Sequence, residues 1–488
     1  MSKRSPAVVA LTIAIAASLA ACGGSQEADA PTTAAVAPAT IAYPSARTVE
    51  QTDDYHGTPV SDPYRWMENL DDPELQPWIA AENKLVADFI GDVPNRDKIK
   101  SRLTELWDYE RFGVPEVHGG KYFYSRNDGL QNQSPIYVQD TLDSAPRLLI
   151  DPNTLSADGT IALSETEVSP DGKLYAYSLS DGGSDWRTIK LRSVETGEDL
   201  SDEIRWAKFT NIAWTKDSSG IFYSRFDAPE GEDPLKAVNK NQKLFLHTIG
   251  KAQTDDTLVY ERPDQPDWGF GAVVSDDGEF LVINGSQGTD VRNRVFYKDL
   301  AKADAKVVPL IEDLVGSYDF VGNDGSVLYF LTDDGAERNR LIAIDTANPA
   351  KDKWQTLIAE SDALLQQVSL VNGQFVASYL RDARSEIKLF DAAGQPKQDI
   401  ALPGLGTATG FDGAVEDKET FFGFGSWAVP DTVYRLDLTT GTTSVFKAPT
   451  VKFNLDDYET TQVFYPSKDG TKVPMFITAK KEIGRAHV

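Results

Sequence analysis

One short pattern, returning about every fifty residues, limits what this chain can fold into more than any other feature. A turn containing Gly, usually beside Asp or Asn, leads into an aromatic or β-branched run that alternates with period two. It stands at Gly119-Gly120 before Tyr122-Phe123-Tyr124, at Asp171-Gly172 before Tyr175-Ala176-Tyr177, at Ser219-Gly220 before Ile221-Phe222-Tyr223, and at Asp277-Gly278 before Phe280-Leu281-Val282. It returns at Asp324-Gly325 before Val327-Leu328-Tyr329 and at Asn372-Gly373 before Phe375-Val376-Ala377, and a seventh copy, Asp417 to Phe422, lacks the glycine. Successive glycines from Gly120 to Gly373 lie 52, 48, 58, 47 and 48 residues apart. After each copy comes a second strand-like run, such as Ile136 to Gln139, Ile189 to Arg192, Val295 to Lys298 or Leu341 to Ile344. Two such strands are half of a four-stranded blade, and the intervening sequence has room for the other half. Seven copies across 113–450 predict a mainly β chain built on a seven-bladed β-propeller. A two-sheet sandwich would explain the short strands but not the period.

The N-terminus reads as an export signal. Lys3 and Arg4 precede an apolar run from Ala7 to Leu19, which is shorter than the ~20 residues a membrane span needs. Leu19-Ala20-Ala21-Cys22 has the layout of a bacterial lipobox, and Cys22 is the sole cysteine of the 488 residues, so an intrachain disulfide is excluded. The expectation is a signal peptide over 1–22, lipidation of Cys22 and a tether rich in Ala, Pro and Thr over 23–42; the alternative is an ordinary cleaved signal with an incidental Cys. Placement on the periplasmic side, anchored to the outer membrane, follows from the lipid reading.

With 75 acidic against 48 basic residues the chain carries a formal charge of −27, which repels phosphate backbones and argues against a nucleic-acid partner. Ahead of the repeats, Leu75, Trp78, Ile79, Leu85, Val86, Phe89 and Ile90 recur at three- and four-residue steps between Asp71 and Ile90, and Ile99, Leu103, Leu106 and Trp107 follow in the same way. Two helices, each with an apolar face to bury, are expected there, separated at Pro94.

Several segments in order resemble those of prolyl oligopeptidases. They are Asp54-Tyr55-His56-Gly57; Asp62-Pro63-Tyr64-Arg65-Trp66-Met67-Glu68; Gly129 to Gln133 with Tyr137 to Asp140; Gly183 to Trp186 with Thr188 to Lys190; and Phe464 to Lys472 with Pro474 to Phe476. The resemblance implies an α/β-hydrolase domain assembled from an N-terminal segment, here 43–112, and a C-terminal one opening at 451–481, with the propeller of 113–450 between them. It implies hydrolysis of short peptides on the carboxyl side of proline by a serine nucleophile, in a monomer needing no cofactor. A sister peptidase cleaving after Lys or Arg, and a non-catalytic propeller lipoprotein acting as a scaffold, remain open.

The chemistry of that reaction has no place in these residues. A hydrolase of this class carries its serine on a strained strand-to-helix elbow, G-x-S-x-G, and none occurs; Gly423 to Trp427 has the wrong register. Of the four histidines, His56 lies in a family motif, His118 in a turn of the first blade, His247 on a blade strand and His487 in the tail. No metal-ligand cluster and no phosphate loop is present. Catalytic residues are therefore expected beyond Val488. Residues 482–488 do not continue the family pattern, and the codons ATC GGA AGA GCA CAC GTC, a stretch used in sequencing adapters, would encode the last six of them. The resemblance implies one substrate contact within the chain, Phe209 in Ala207-Lys208-Phe209-Thr210, with a blade-core aromatic as the alternative. Where better-known members line the pocket with Met, Arg and Cys, this chain has Gly269, Ser286 and Thr289.

Overall fold

The computed structural model describes residues 41–91, 93–229 and 237–481. The signal, Cys22, most of the tether and the 482–488 tail lie outside them. The chain divides into two compact units, Met1–Lys98 and Ile99–Val488.

In the first unit, the segment Asp54 to Gly57 turns a two-stranded hairpin of Thr52–Tyr55 and Thr58–Ser61. His56 and Gly57 hold φ of 55° and 87°, the pair of left-handed residues that a two-residue hairpin turn of this hand requires. His56 is thus a turn residue. The second segment is an ion-pair knot: Arg65 pairs with Asp53 and Asp62, while buried Trp66 donates its Nε1–H to the Arg47 carbonyl (2.9 Å) under the Arg47 guanidinium. Helix α1 runs from Leu75 to Gly91, starting four residues later than the apolar spacing suggests because Asp71 to Glu74 form turns. Only Leu75 of α1 is buried, and Val86, Phe89 and Ile90 are exposed. Helix α2, Arg96–Trp107, leaves Ile99, Leu103 and Trp107 equally open. The periodicity finds both helices, but the apolar faces it marks are uncovered among the described residues.

The β-propeller fills 111–447 as antiparallel sheets whose strands pair mostly in chain order: one of five strands (111–150), one of eight (161–260) and four of four (268–311, 318–358, 364–400 and 407–447). Alternation explains why their strands read as unbroken apolar runs. Leu328 and Phe330 pack with Phe280 and Val282 of the preceding sheet, whereas Tyr329 and Leu331 pack with Leu365 and Phe375 of the following one. The strand Val327–Thr332 therefore buries both faces, in cores that lie between sheets rather than within one.

The recurrent turn has a common mechanism. At Ser169 and Ser275 the hydroxyl donates to the Asp two residues on (2.7 and 2.6 Å), and Gly172 and Gly278, at φ 68° and 77°, donate N–H back to the serine carbonyl. Thr215 and Asp217 repeat this in the third copy, but there Ser218 takes the left-handed position (φ 60°) and Gly220 does not. Gly220 is required for space instead, since a Cβ there would lie 2.6 Å from the His247 carbonyl oxygen. His118, expected in a turn, ends the strand Glu116–His118.

No strand pairing joins the first sheet to the last among the described residues. Side chains close that seam: Tyr122 donates to Glu419 (2.9 Å) and its ring meets Phe421, while Tyr124 and Phe446 stand edge to face. After the last sheet, Tyr458–Pro466 and Lys472–Lys480 form a hairpin that exposes Val463, Phe464, Tyr465, Met475 and Ile477.

Candidate functional site

The loop preceding the short strand Ala213–Trp214 presents Phe209. Its ring is 58% exposed, which is not the burial of a blade-core aromatic, and its backbone is left-handed at φ 52°, as is that of Trp206 at 64°. Trp206 lies in the preceding strand Asp199–Ala207 and Phe209 in the loop itself, and two such non-glycine residues three apart store strain that surrounding contacts must hold. Those contacts are explicit. The Lys208 side chain, 11% exposed, lays its ammonium 4.9 Å from the Trp186 ring centroid and 5.1 Å from that of Phe209. Buried Gln242 donates from Nε2 to the carbonyls of Lys208 (2.7 Å) and Phe209 (3.2 Å), and its Oε1 accepts from Phe270 N–H (2.5 Å). Asn211 repeats the clamp two residues on, donating to the Ala272 carbonyl (2.6 Å) and accepting from its N–H (3.1 Å). Gly269 and Ser286 are cross-strand partners beside this clamp, and Thr289 is exposed.

The strands Glu116–His118 and Ile161–Val168 and the loop after Thr407–Gly410 carry a second feature, a group of carboxylates. Burial pushes Glu167 up to about 8, aided by the charges of Glu116 and Glu165. Glu116 is raised by burial and by Asp412 and Glu165, and Asp412 is raised by burial against hydrogen bonds from Ser369 and Gln367. Glu165 and Glu167 alternate with inward-packing residues, so period two puts both on one face. A carboxyl raised in the fold stabilises most below its unfolded value near 4.5, and that contribution fades as pH rises through about 8. Replacing Glu167 by Gln should therefore raise stability at pH 8 by ~1–3 kcal/mol and change little at pH 5, read by denaturant unfolding at the two pH values.

The loop after Thr407–Gly410 reaches across to the sheet of 268–311, where Val415 N–H donates to Asp276 (3.0 Å). Two whole sheets lie between these partners in the chain. Phe209 precedes the strand Ala213–Trp214, whereas Val415 follows the strand Thr407–Gly410.

No described histidine is placed as a general base for a serine. His118 has its pKa lowered by burial and lies 3.9 Å from Glu116. His247, 1% exposed, bonds Asp256 through Nδ1 (2.7 Å) and Asp202 through Nε2 (3.0 Å). Nor do three or more His, Cys, Asp or Glu gather as a metal site among the described residues.

Sequence reasoning singled out Phe209 but missed Lys208, Asn211, Gln242 and the group of carboxylates. The alternation of Glu165 and Glu167 before a turn was a readable signal. Gln242 had none, because its partners are backbone atoms 28 to 34 residues away.

The family described as "Prolyl oligopeptidase, N-terminal beta-propeller domain" matches residues 43–449. A prolyl endopeptidase of Elizabethkingia meningoseptica is 36% identical over 441 residues, covering 90% of this chain and 62% of the relative. A dual function macrocyclase-peptidase of Galerina marginata is 33% identical over 476 residues, covering 90% and 64%. Among solved structures, a prolyl endopeptidase superposes with a TM-score of 0.71 at 38% identity, covering 90% of this chain and 63% of that one. A prolyl oligopeptidase B of Galerina marginata bound to a 35-residue substrate gives 0.80 at 31% identity, covering 90% and 65%. The chain thus spans a little under two thirds of the length of these relatives.

Proposed function

The chain belongs to the prolyl oligopeptidase family, a family of serine peptidases, and on that premise we propose that it supplies the peptide-binding propeller of an endopeptidase that cuts short peptides after proline. The observation that carries the reading is the Phe209 loop: an exposed ring, held in a strained left-handed conformation. Strain of this kind concentrates where a side chain must be presented. The acidic lining favours one neighbouring reading, a sister peptidase that cuts after Lys or Arg, because carboxylates attract cationic peptides. The protein encoded by the native locus, read past the codon for Lys481, decides between them. Cleavage of a fluorogenic Gly-Pro substrate in preference to Lys and Arg substrates is expected, and the reverse preference would move the protein to the sister branch.

The propeller has seven blades in this reading, with the eight-stranded sheet counted as two. Its halves are joined by the strand pairing of Ala207 with Arg225, and the faces fold onto each other, with Ala176, Ile189 and Ile204 against Ile221, Tyr223 and Phe245. A crystal structure in which 187–248 forms one continuous, open sheet would overturn the count. Residues 43–112 and 451–481 belong to the hydrolase domain, and the apolar side chains exposed on α1, α2 and the terminal hairpin are the surfaces it would cover.

Export and lipidation at Cys22 complete the reading. Metabolic palmitate labelling should follow the protein into the membrane fraction, and Cys22→Ser should abolish it. Unlabelled wild-type protein, freely soluble in the periplasm, would reject the anchor.

A further inference from the structure

We propose that Gln242 is the positioning residue of the Phe209 site: its buried amide holds the strained loop so that the aromatic ring meets a bound peptide. The proposal rests on the reading of Phe209 as a peptide contact and goes one step further, to what keeps Phe209 in place.

Every hydrogen-bonding group of that amide is committed. The two Nε2 protons go to the carbonyls of Lys208 and Phe209, and Oε1 takes Phe270 N–H. Phe270 lies on Trp268–Val274, the edge strand of its sheet, whose unpaired N–H groups need partners. Gln242 meets that need while gripping the loop, so the loop is pinned to the neighbouring sheet rather than to its own strand. Space for the amide depends on Gly269: a Cβ there would approach Gln242 Oε1 to 3.3 Å and Ser286 Oγ to 2.8 Å. The other restraint on the ring, the Lys208 ammonium, faces the ring of Trp186 and the Asp185 carboxylate at 3.8 Å, and it does not fix the backbone. The amide bonds the carbonyl of left-handed Phe209 and that of Lys208 just before it. Removing its donor function frees Phe209 to leave the left-handed region, which costs a non-glycine residue energy when nothing enforces it.

The isosteric variant Gln242→Glu isolates this role. Its carboxylate keeps the acceptor for Phe270 N–H but turns a lone pair toward each carbonyl, whereas the protonated acid regains one donor. The probe is a fluorescein-labelled, end-capped octapeptide with a central Gly-Pro, titrated with the 488-residue chain by anisotropy. Phe209→Ala should weaken binding about tenfold. Gln242→Glu should do the same at pH 7.5 and recover as pH falls toward 5.5, while the wild type stays flat, and the double variant should be no weaker than Phe209→Ala alone. Gln242→Met, which removes both functions without adding charge, should match Gln242→Glu at pH 7.5 and show no recovery, which covers the case of a misfolded Glu variant. Losses that multiply in the double variant, or a Gln242→Glu protein that binds like wild type, would overturn the positioning role and leave the Phe209 reading standing. Unchanged binding by Phe209→Ala, or no binding by the wild type, would remove the Phe209 reading and this proposal with it.

Discussion

Purified as the 488-residue chain, this protein should turn over no fluorogenic Gly-Pro substrate and should take no label from an active-site serine probe. Acyl transfer by a serine hydrolase needs a hydroxyl within hydrogen-bond reach of a base, a third group to orient that base, and donors aimed at the oxyanion. The sequence has no serine elbow, and its described histidines are committed elsewhere: His56 to a hairpin turn, His118 to a strand end beside Glu116, His247 to two buried carboxylates. Loss of a single nucleophile or base costs hydrolases on the order of 10⁴ to 10⁶ in turnover, and here no member of the set is in position. With the Phe209 loop as the proposed peptide contact, binding and catalysis should separate in this chain. Serine-dependent turnover by the 488 residues, abolished by the probe, would refute this account and send the search to a serine outside any known elbow.

The repeat was the most legible part of the molecule because it is a local code with a local cause. A hydroxyl, an Asp and a left-handed residue close the same turn at Ser169, Thr215 and Ser275, and each turn launches a strand buried on both faces. The family segments were legible as strings, and the structure gives several of them structural work: Asp54 to Gly57 a turn, Asp62, Arg65 and Trp66 a knot of ion pairs and burial. What could not be read were contacts made across the ring. Gln242 reaches Phe270, Asn211 reaches Ala272, and Val415 reaches Asp276 139 residues away, and none of these leaves a periodic trace. The helices show the same limit: periodicity identifies an apolar face to bury but not what covers it.

Replacing His247 should give the largest stability change in the propeller, and its pH profile should identify the cause. The ring lies between Asp202 and Asp256, bonded to one through each nitrogen, an arrangement that favours the doubly protonated, cationic imidazole. Burial alone would lower its pKa, but the hydrogen bonds and charges of Asp256 and Asp202 outweigh that and raise it. The cluster is also a joint. Asp202 lies on Asp199–Ala207, whereas His247 and Asp256 belong to the other half of the eight-stranded sheet, and Gly250 N–H (2.5 Å) and the Tyr223 hydroxyl (2.6 Å) add donors to the two carboxylates. His247→Ala leaves buried carboxylates facing each other without their cation, a change that costs ~3–5 kcal/mol where buried pairs are broken. His247→Gln keeps a donor and should lose less. Because the folded pKa is raised, the wild-type contribution is complete below the unfolded value near 6.5 and fades as pH climbs through the folded one. Urea midpoints and amide-exchange protection across 199–207 and 243–248 should therefore fall as pH climbs above about 6.5 in the wild type and stay level in His247→Gln. A wild-type profile as flat as that of the variant would mean that His247 is neutral in the fold and that the joint is held by packing alone.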